Sequence, residues 1–89
     1  MAVDVISYVV GLGSIREVAI RQQFTSYAEA IEAGRSAKRR GEIWSAPVTD
    51  FGQGRWRLVG WYDGGGGVFA GPDDQTPATP ENLFEILKV

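Results

Sequence analysis

The sequence predicts an α+β domain: a four-stranded antiparallel sheet in the order β-β-α-β-β, one main helix packed on a face, and a short helix at the C-terminus. Three observations lead there. Residues 24–41, FTSYAEAIEAGRSAKRRG, hold a helix start, a helical period and a helix stop in register. Two β-branched and aromatic segments precede them, at 3–12 and 15–24, and two more follow, at 42–51 and 55–63. Strand lengths and links this short favour antiparallel neighbours with the helix laid across them. Residues 1–89 thus read as one domain, with a core at 1–63, a Gly/Pro-rich loop at 64–78 and a terminal helix at 79–89.

In chain order, VDVISYVVGL at 3–12 ends at Gly11 and Gly13, which reads as a strand followed by a turn. IREVAIRQQF at 15–24 alternates: Val18, Ile20 and Phe24 line one face with Gln22 between them, and Glu17, Arg21 and Gln23 line the other. A helix there would strand Phe24 and run into the cap at Ser26, so a second strand is expected, paired to the first across residues 12–14.

The main helix opens with a capping box, Ser26 accepting from the N–H of Glu29 and the Glu29 carboxylate reaching back to Ser26, so it begins at Tyr27. Its expected stop is Gly41, preceded by Lys38, Arg39 and Arg40 at the negative end of the macrodipole. Tyr27, Ala30, Ile31, Gly34 and Ala37 fall on one stripe, the face to be buried. Gly34 in mid-helix costs about 1 kcal/mol against Ala, which predicts an aromatic ring or a strand packed over it.

EIWSAPVTDF at 42–51 has strand character, with Pro47 marking an edge, a bulge or a non-pairing side. A hairpin turn at Gly52-Gln53-Gly54 leads to RWRLVGWYD at 55–63. There Trp56, Leu58, Gly60 and Tyr62 should point one way and Arg55, Arg57, Val59, Trp61 and Asp63 the other. Gly64 to Gly67 read as a flexible tip, Val68 to Ala70 as a short return strand, and 71–77 as turn. Thr79 as N-cap, Pro80 at N1 and Glu81 in the first turn open a second helix with Leu83, Phe84 and Leu87 on one face.

Composition removes most chemistry. The 89 residues contain no cysteine and no histidine, which takes away disulfides, thiolate sites, the usual general base and the commonest metal ligand. No stretch of about 18 apolar residues marks a membrane span, and no basic region followed by an apolar run marks a leader, so a cytoplasmic protein without membrane association is expected. The net charge of −2 conceals two poles. Residues 16–57 hold eight cations against five acids, whereas 58–89 hold five acids against Lys88.

Gly11-Leu12-Gly13 after an apolar strand superficially matches a dinucleotide-binding turn, but Arg16 holds the place of the third glycine, so a hairpin turn is preferred. Serines lack a base partner, the four glycines have no following Lys-Ser or Lys-Thr, and Asp73-Asp74 reads as solvated turn before it reads as a cation site. No catalytic residue, metal ligand or cofactor is expected. What remains is a basic and aromatic constellation: Arg35, Lys38, Arg39 and Arg40 at the helix end, with Arg55, Arg57 and Trp61 from the adjacent hairpin. Cations gather at helix C-termini for dipole reasons alone, and tryptophans in small domains are usually core. A tryptophan falls on both faces of 55–63, so either the C-terminal segment covers the second face, the commoner outcome, or an aromatic patch is exposed there.

Strand–strand–helix–strand–strand in under ninety residues, with a helix opening like TSYAEAIEAGRSAKRRGE and a following hairpin like RWRLVGWYDG, resembles small phage-encoded anti-CRISPR proteins. The likeness covers residues 3–64 and is one of pattern. It implies a stoichiometric inhibitor in the host cytoplasm that binds a CRISPR–Cas complex and blocks DNA access. An acidic surface of Asp63, Asp73, Asp74, Glu81 and Glu85 would then mimic nucleic acid in a Lys/Arg channel. The first reading is accordingly a non-enzymatic binding protein, monomer or homodimer, acting through a protein–protein interface built on Arg35, Lys38, Arg39, Arg40, Arg55, Arg57 and Trp61. The alternatives are a nucleic-acid-binding module using the same residues and a structural subunit of a phage or similar particle.

Overall fold

The computed structural model describes residues 7–14, 19–71 and 75–88. Among these described residues six strands and two helices follow in the order β1 (Ser7–Ser14), β2 (Ala19–Phe24), α1 (Tyr27–Ser36), β3 (Gly41–Thr49), β4 (Gly52–Gln53), β5 (Arg57–Tyr62), β6 (Val68–Ala70) and α2 (Pro80–Lys88). The architecture is α+β with an antiparallel sheet, as expected, but the sheet is larger than four strands. Its order is β2-β1-β3-β5-β6, with β4 pairing β3.

The extra strands have local causes. Pro47 sits in the central strand opposite Tyr8 of β1, and its carbonyl accepts from Gly54 N–H at 2.8 Å. Having no N–H of its own, it cannot complete the ladder on that side. Pairing therefore breaks there into β4, which closes on β3 through Thr49↔Gly52, and β5, which resumes at Ser45↔Arg57. The tight turn falls at Asp50-Phe51, two residues before the expected one. At the far edge β6 pairs β5, and residues 76–78 close along β6: Ala70 N–H donates to the Thr76 carbonyl and Ala78 N–H to that of Val68, both at 2.9 Å.

The first hairpin differs in register. β1 continues to Ser14, which pairs Ala19, with an irregularity between Leu12 and Gly13, so the link lies beyond the expected 12–14 turn. The expected strand positions 3–6 and 15–18 lie outside the described residues.

Tyr27 opens α1 as expected, but Ser26 makes no side-chain cap bond, so the capping box does not form. The helix also ends early, at Ser36 with Ala37 as C-cap, instead of running to Gly41. Gly41 is already the first residue of β3, opposite Tyr62, and the four residues between are needed to turn the chain back into the sheet. Lys38, Arg39 and Arg40 consequently lie on the α1–β3 connection. The buried stripe is the expected one over Tyr27, Ala30, Ile31 and Gly34, whereas Ala37, expected to continue it, is the C-cap and only half-buried against the core. A Cβ on Gly34 would stand 3.3 Å from the Val68 side chain and 3.5 Å from Tyr62, so an aromatic ring on a strand does pack there.

In α2 the cap is complete. Asn82 N–H donates to Thr79 Oγ1 at 3.2 Å, and Thr79 N–H donates to Asn82 Oδ1 at 2.8 Å. Leu83 and Leu87 are buried beside Val10, Tyr27, Ile31 and Ile43 in one core, which places both helices on the same face of the sheet. Among the described residues the C-terminal segment therefore does not cover the second face, contrary to the commoner outcome.

β5 does not alternate as its sequence suggests. Trp44 pairs Leu58 and Ile43 pairs Gly60, leaving Val59 as an extra residue in a bulge. The bulge turns Val59 into the core, where it is wholly buried, and keeps Gly60 and Tyr62 on that same side. Leu58 and Trp61 are left on the helix-free face.

Candidate functional site: an aromatic sheet face and a separate aromatic cleft

Cross-strand pairing sets the helix-free face in rows. Glu42, Trp61 and Phe69 form one row across β3, β5 and β6; Gly11, Trp44 and Leu58 form the next across β1, β3 and β5. The Trp61 and Phe69 rings lie 4.8 Å apart, and the Arg40 guanidinium sits over Trp61 at 4.8 Å from the ring centroid. Such a contact contributes about 0.5–1 kcal/mol at an exposed site. Lys38 and Arg39 stand exposed beside Arg40. Leu58 is 39% exposed, and the indole N–H of Trp44 is buried without a partner among the described residues.

The expected basic constellation divides. Arg40 and Trp61 are brought together, with Lys38 and Arg39 next to them. Arg35, on α1, is exposed and pairs with Glu32 one turn away at 2.6 Å, a surface pair of little energetic consequence. Arg57 lies on the helix face and donates to the Leu87 carbonyl at 2.9 Å, satisfying the C-terminal end of α2. Arg55 is exposed before β5, about 20 Å along the strand direction from Trp61 at about 3.3 Å per residue.

The acidic residues are also dispersed. Asp63 Oδ1 accepts from Gly65 N–H at 2.8 Å and Gly67 N–H at 3.0 Å, and Asp63 N–H donates to the Gly67 carbonyl at 3.1 Å. These bonds organise the expected flexible tip into a closed loop, with Gly64 and Gly66 at φ +82° and +100°. They also hold the Asp63 carboxyl below the ordinary carboxylate range. Glu85 pairs with Lys88 at 3.4 Å, Glu81 lies in the first turn of α2, and Asp73 and Asp74 lie outside the described residues.

The opposite face carries a second feature that no local pattern in the chain signals. Tyr8, Tyr27 and Phe84 come from three elements and meet, with ring centroids 4.2 Å apart for Tyr8–Tyr27 and 5.8 and 6.5 Å for their contacts with Phe84. With Pro80 and Glu81 they line a cleft of about 260 Å³ that opens to solvent. Tyr27 is its fixed floor. The Tyr27 hydroxyl lies 2.7 Å from Ser45 Oγ, and Ser45 Oγ donates to the Val9 carbonyl at 2.9 Å. Serine has one proton to give, so Tyr27 is the donor to Ser45. Burial pushes the Tyr27 phenol up to about 12. Burial, with the Glu42 charge as a smaller cause, also raises that of Tyr62.

Among the described residues no group of three or more acidic side chains is placed to hold a metal ion, and no helix is long and apolar enough to cross a membrane. The fold and the two aromatic features define a small α+β protein with an antiparallel sheet. Comparison with known proteins finds no family model, no curated protein and no solved structure that matches significantly.

Proposed function

We propose that this chain is a non-enzymatic binding protein that acts through a protein–protein interface on the helix-free face of its sheet, centred on Arg40, Trp61 and Phe69. The observation that carries the reading is the Arg40 guanidinium seated on Trp61, on a face neither helix covers. Arg and Trp are enriched among residues that dominate binding energy, and a Trp61 ring in contact with both Arg40 and Phe69 is already ordered before a partner arrives. Lys38 and Arg39 at the rim would steer an acidic partner surface toward it.

The specific form we propose is an inhibitor of an RNA-guided nuclease complex that blocks DNA access. We rest it on the basic edge, where Lys38, Arg39 and Arg40 stand together, because the described acidic residues Asp63, Glu81 and Glu85 form no such cluster. A nucleic-acid module is the second reading, favoured by the same cations beside an aromatic platform.

One experiment separates them. The chain is added to a panel of reconstituted CRISPR–Cas complexes, and binding of labelled target DNA is followed by anisotropy, with the chain and DNA alone as the second arm. Reduced DNA binding by a complex, restored when R40A and W61A are combined, supports the inhibitor. Salt-sensitive DNA binding by the chain alone establishes the module instead, and no effect in either arm refutes both.

A further inference from the structure

We propose that the cleft formed by Tyr8, Tyr27, Phe84, Pro80 and Glu81 binds a methylated or alkyl ammonium group. This goes beyond the interface above and uses the other face of the sheet.

The cleft has the chemistry such a group requires. Three aromatic rings lie within 6.5 Å of one another, and Glu81 is the one charged side chain among the described residues that line it. Ring faces carry partial negative charge, so apolar walls that repel a hydrated metal ion still attract a weakly hydrated organic cation. At about 260 Å³ and open to solvent, the cleft has room for a small group such as a choline headgroup or the tip of a trimethylated lysine.

One of these rings already carries an ammonium group outside the cleft, so an entering cation must use the rest of the aromatic wall with Glu81. Lys88 Nζ lies over Phe84 at 5.4 Å from the ring centroid, steadied by Glu85. An anion is disfavoured at the same place. Although the cleft borders the start of α2, Pro80 has no N–H to offer and that of Asn82 is taken by Thr79, while Glu81 would repel it. The floor is rigid, because Tyr27 is held at its hydroxyl by Ser45 and at its ring by Tyr8. A preformed site loses less entropy when a ligand enters.

The test titrates the intact chain with choline chloride and with 3,3-dimethyl-1-butanol, its neutral isostere, at constant ionic strength set with sodium chloride. Aromatic resonances of Tyr8, Tyr27 and Phe84 are followed by NMR. Choline is expected to saturate these shifts with an affinity about threefold or more above the isostere, and E81Q to weaken choline about threefold while leaving the isostere unchanged. Glu81 is exposed, so E81Q tests the charge without risking the fold. Capped trimethyl-lysine forms a third arm: tighter binding than choline assigns the group to a protein side chain, weaker binding to a free small molecule, and either upholds the cation class. Equal binding of choline and its isostere, indifference to E81Q, or no shift at these rings would overturn the proposal.

Discussion

Removing the Tyr27 hydroxyl should produce a protein less stable than wild type at neutral pH and more stable than wild type in strong alkali. At pH 8 the Tyr27→Phe variant loses the bond from Tyr27 to Ser45, while Ser45 keeps its own donation to Val9. Loss of one such bond costs about 1 kcal/mol. The alkaline arm follows from linkage. The folded phenol is raised from 10.0 to about 12, so its contribution is fully present below pH 10 and is lost as pH rises through about 12. Two units at 1.36 kcal/mol each set an upper bound of roughly 2–3 kcal/mol, lowered where solvent reaches the ring through the cleft. Wild type loses the first 1 kcal/mol near pH 11, where the two stability curves should cross, and the variant should lead by about 1–2 kcal/mol at pH 12. Urea unfolding followed by tryptophan emission, at intervals from pH 8 to 12, measures both curves. Taking the difference cancels titration of the other tyrosines and lysines. Parallel curves with no crossing would refute the reasoning and mean that the Tyr27 phenol is not held neutral by burial.

Gly60→Ala should destabilise the chain by about 2–3 kcal/mol in the same urea assay. The new Cβ meets the Phe69 carbonyl oxygen on the neighbouring strand, which is backbone and cannot step aside, and lies 3.2 Å from Leu83 Cδ2. A loss below about 0.5 kcal/mol would show that β5 and β6 slide past each other freely. Asp63→Ala should release the amides of Gly65 and Gly67, seen as faster hydrogen exchange at those two positions with the core amides unchanged. In the wild type the depressed carboxyl keeps those amides protected above its ordinary titration range, and protection falls as pH drops through the lowered value. Unchanged exchange in the variant would mean that the loop is held by its contact with the Arg39–Arg40 backbone instead.

Where local chemistry and packing agree, the elements were legible from the residues alone. The Tyr27 to Gly34 stripe, the Thr79-Pro80 opening of α2 and the ring over Gly34 all follow from spacing and steric size. Misreadings fell where a residue served two elements. Gly41 carries a helix-stop signal yet is claimed by β3, and Gly52-Gln53-Gly54 carries a turn signal yet pairs back on the strand before it. In the candidate site, Arg40 and Trp61, both expected from the sequence, do meet. Strict alternation places Arg57 on the Trp61 face, and the Val59 bulge reverses that.

By itself the sequence determined the α+β class, the antiparallel pairing of its hairpins and the buried stripe of α1 from Tyr27 to Gly34, because each depends on residues within a few positions of one another. Only the tertiary structure decided which face α2 covers, where Pro47 breaks the ladder, and that Tyr8, Tyr27 and Phe84 share a cleft. Those outcomes depend on backbone groups and rings far apart in the chain, whose meeting is set by which packing buries the most apolar surface while leaving the fewest N–H groups unpaired.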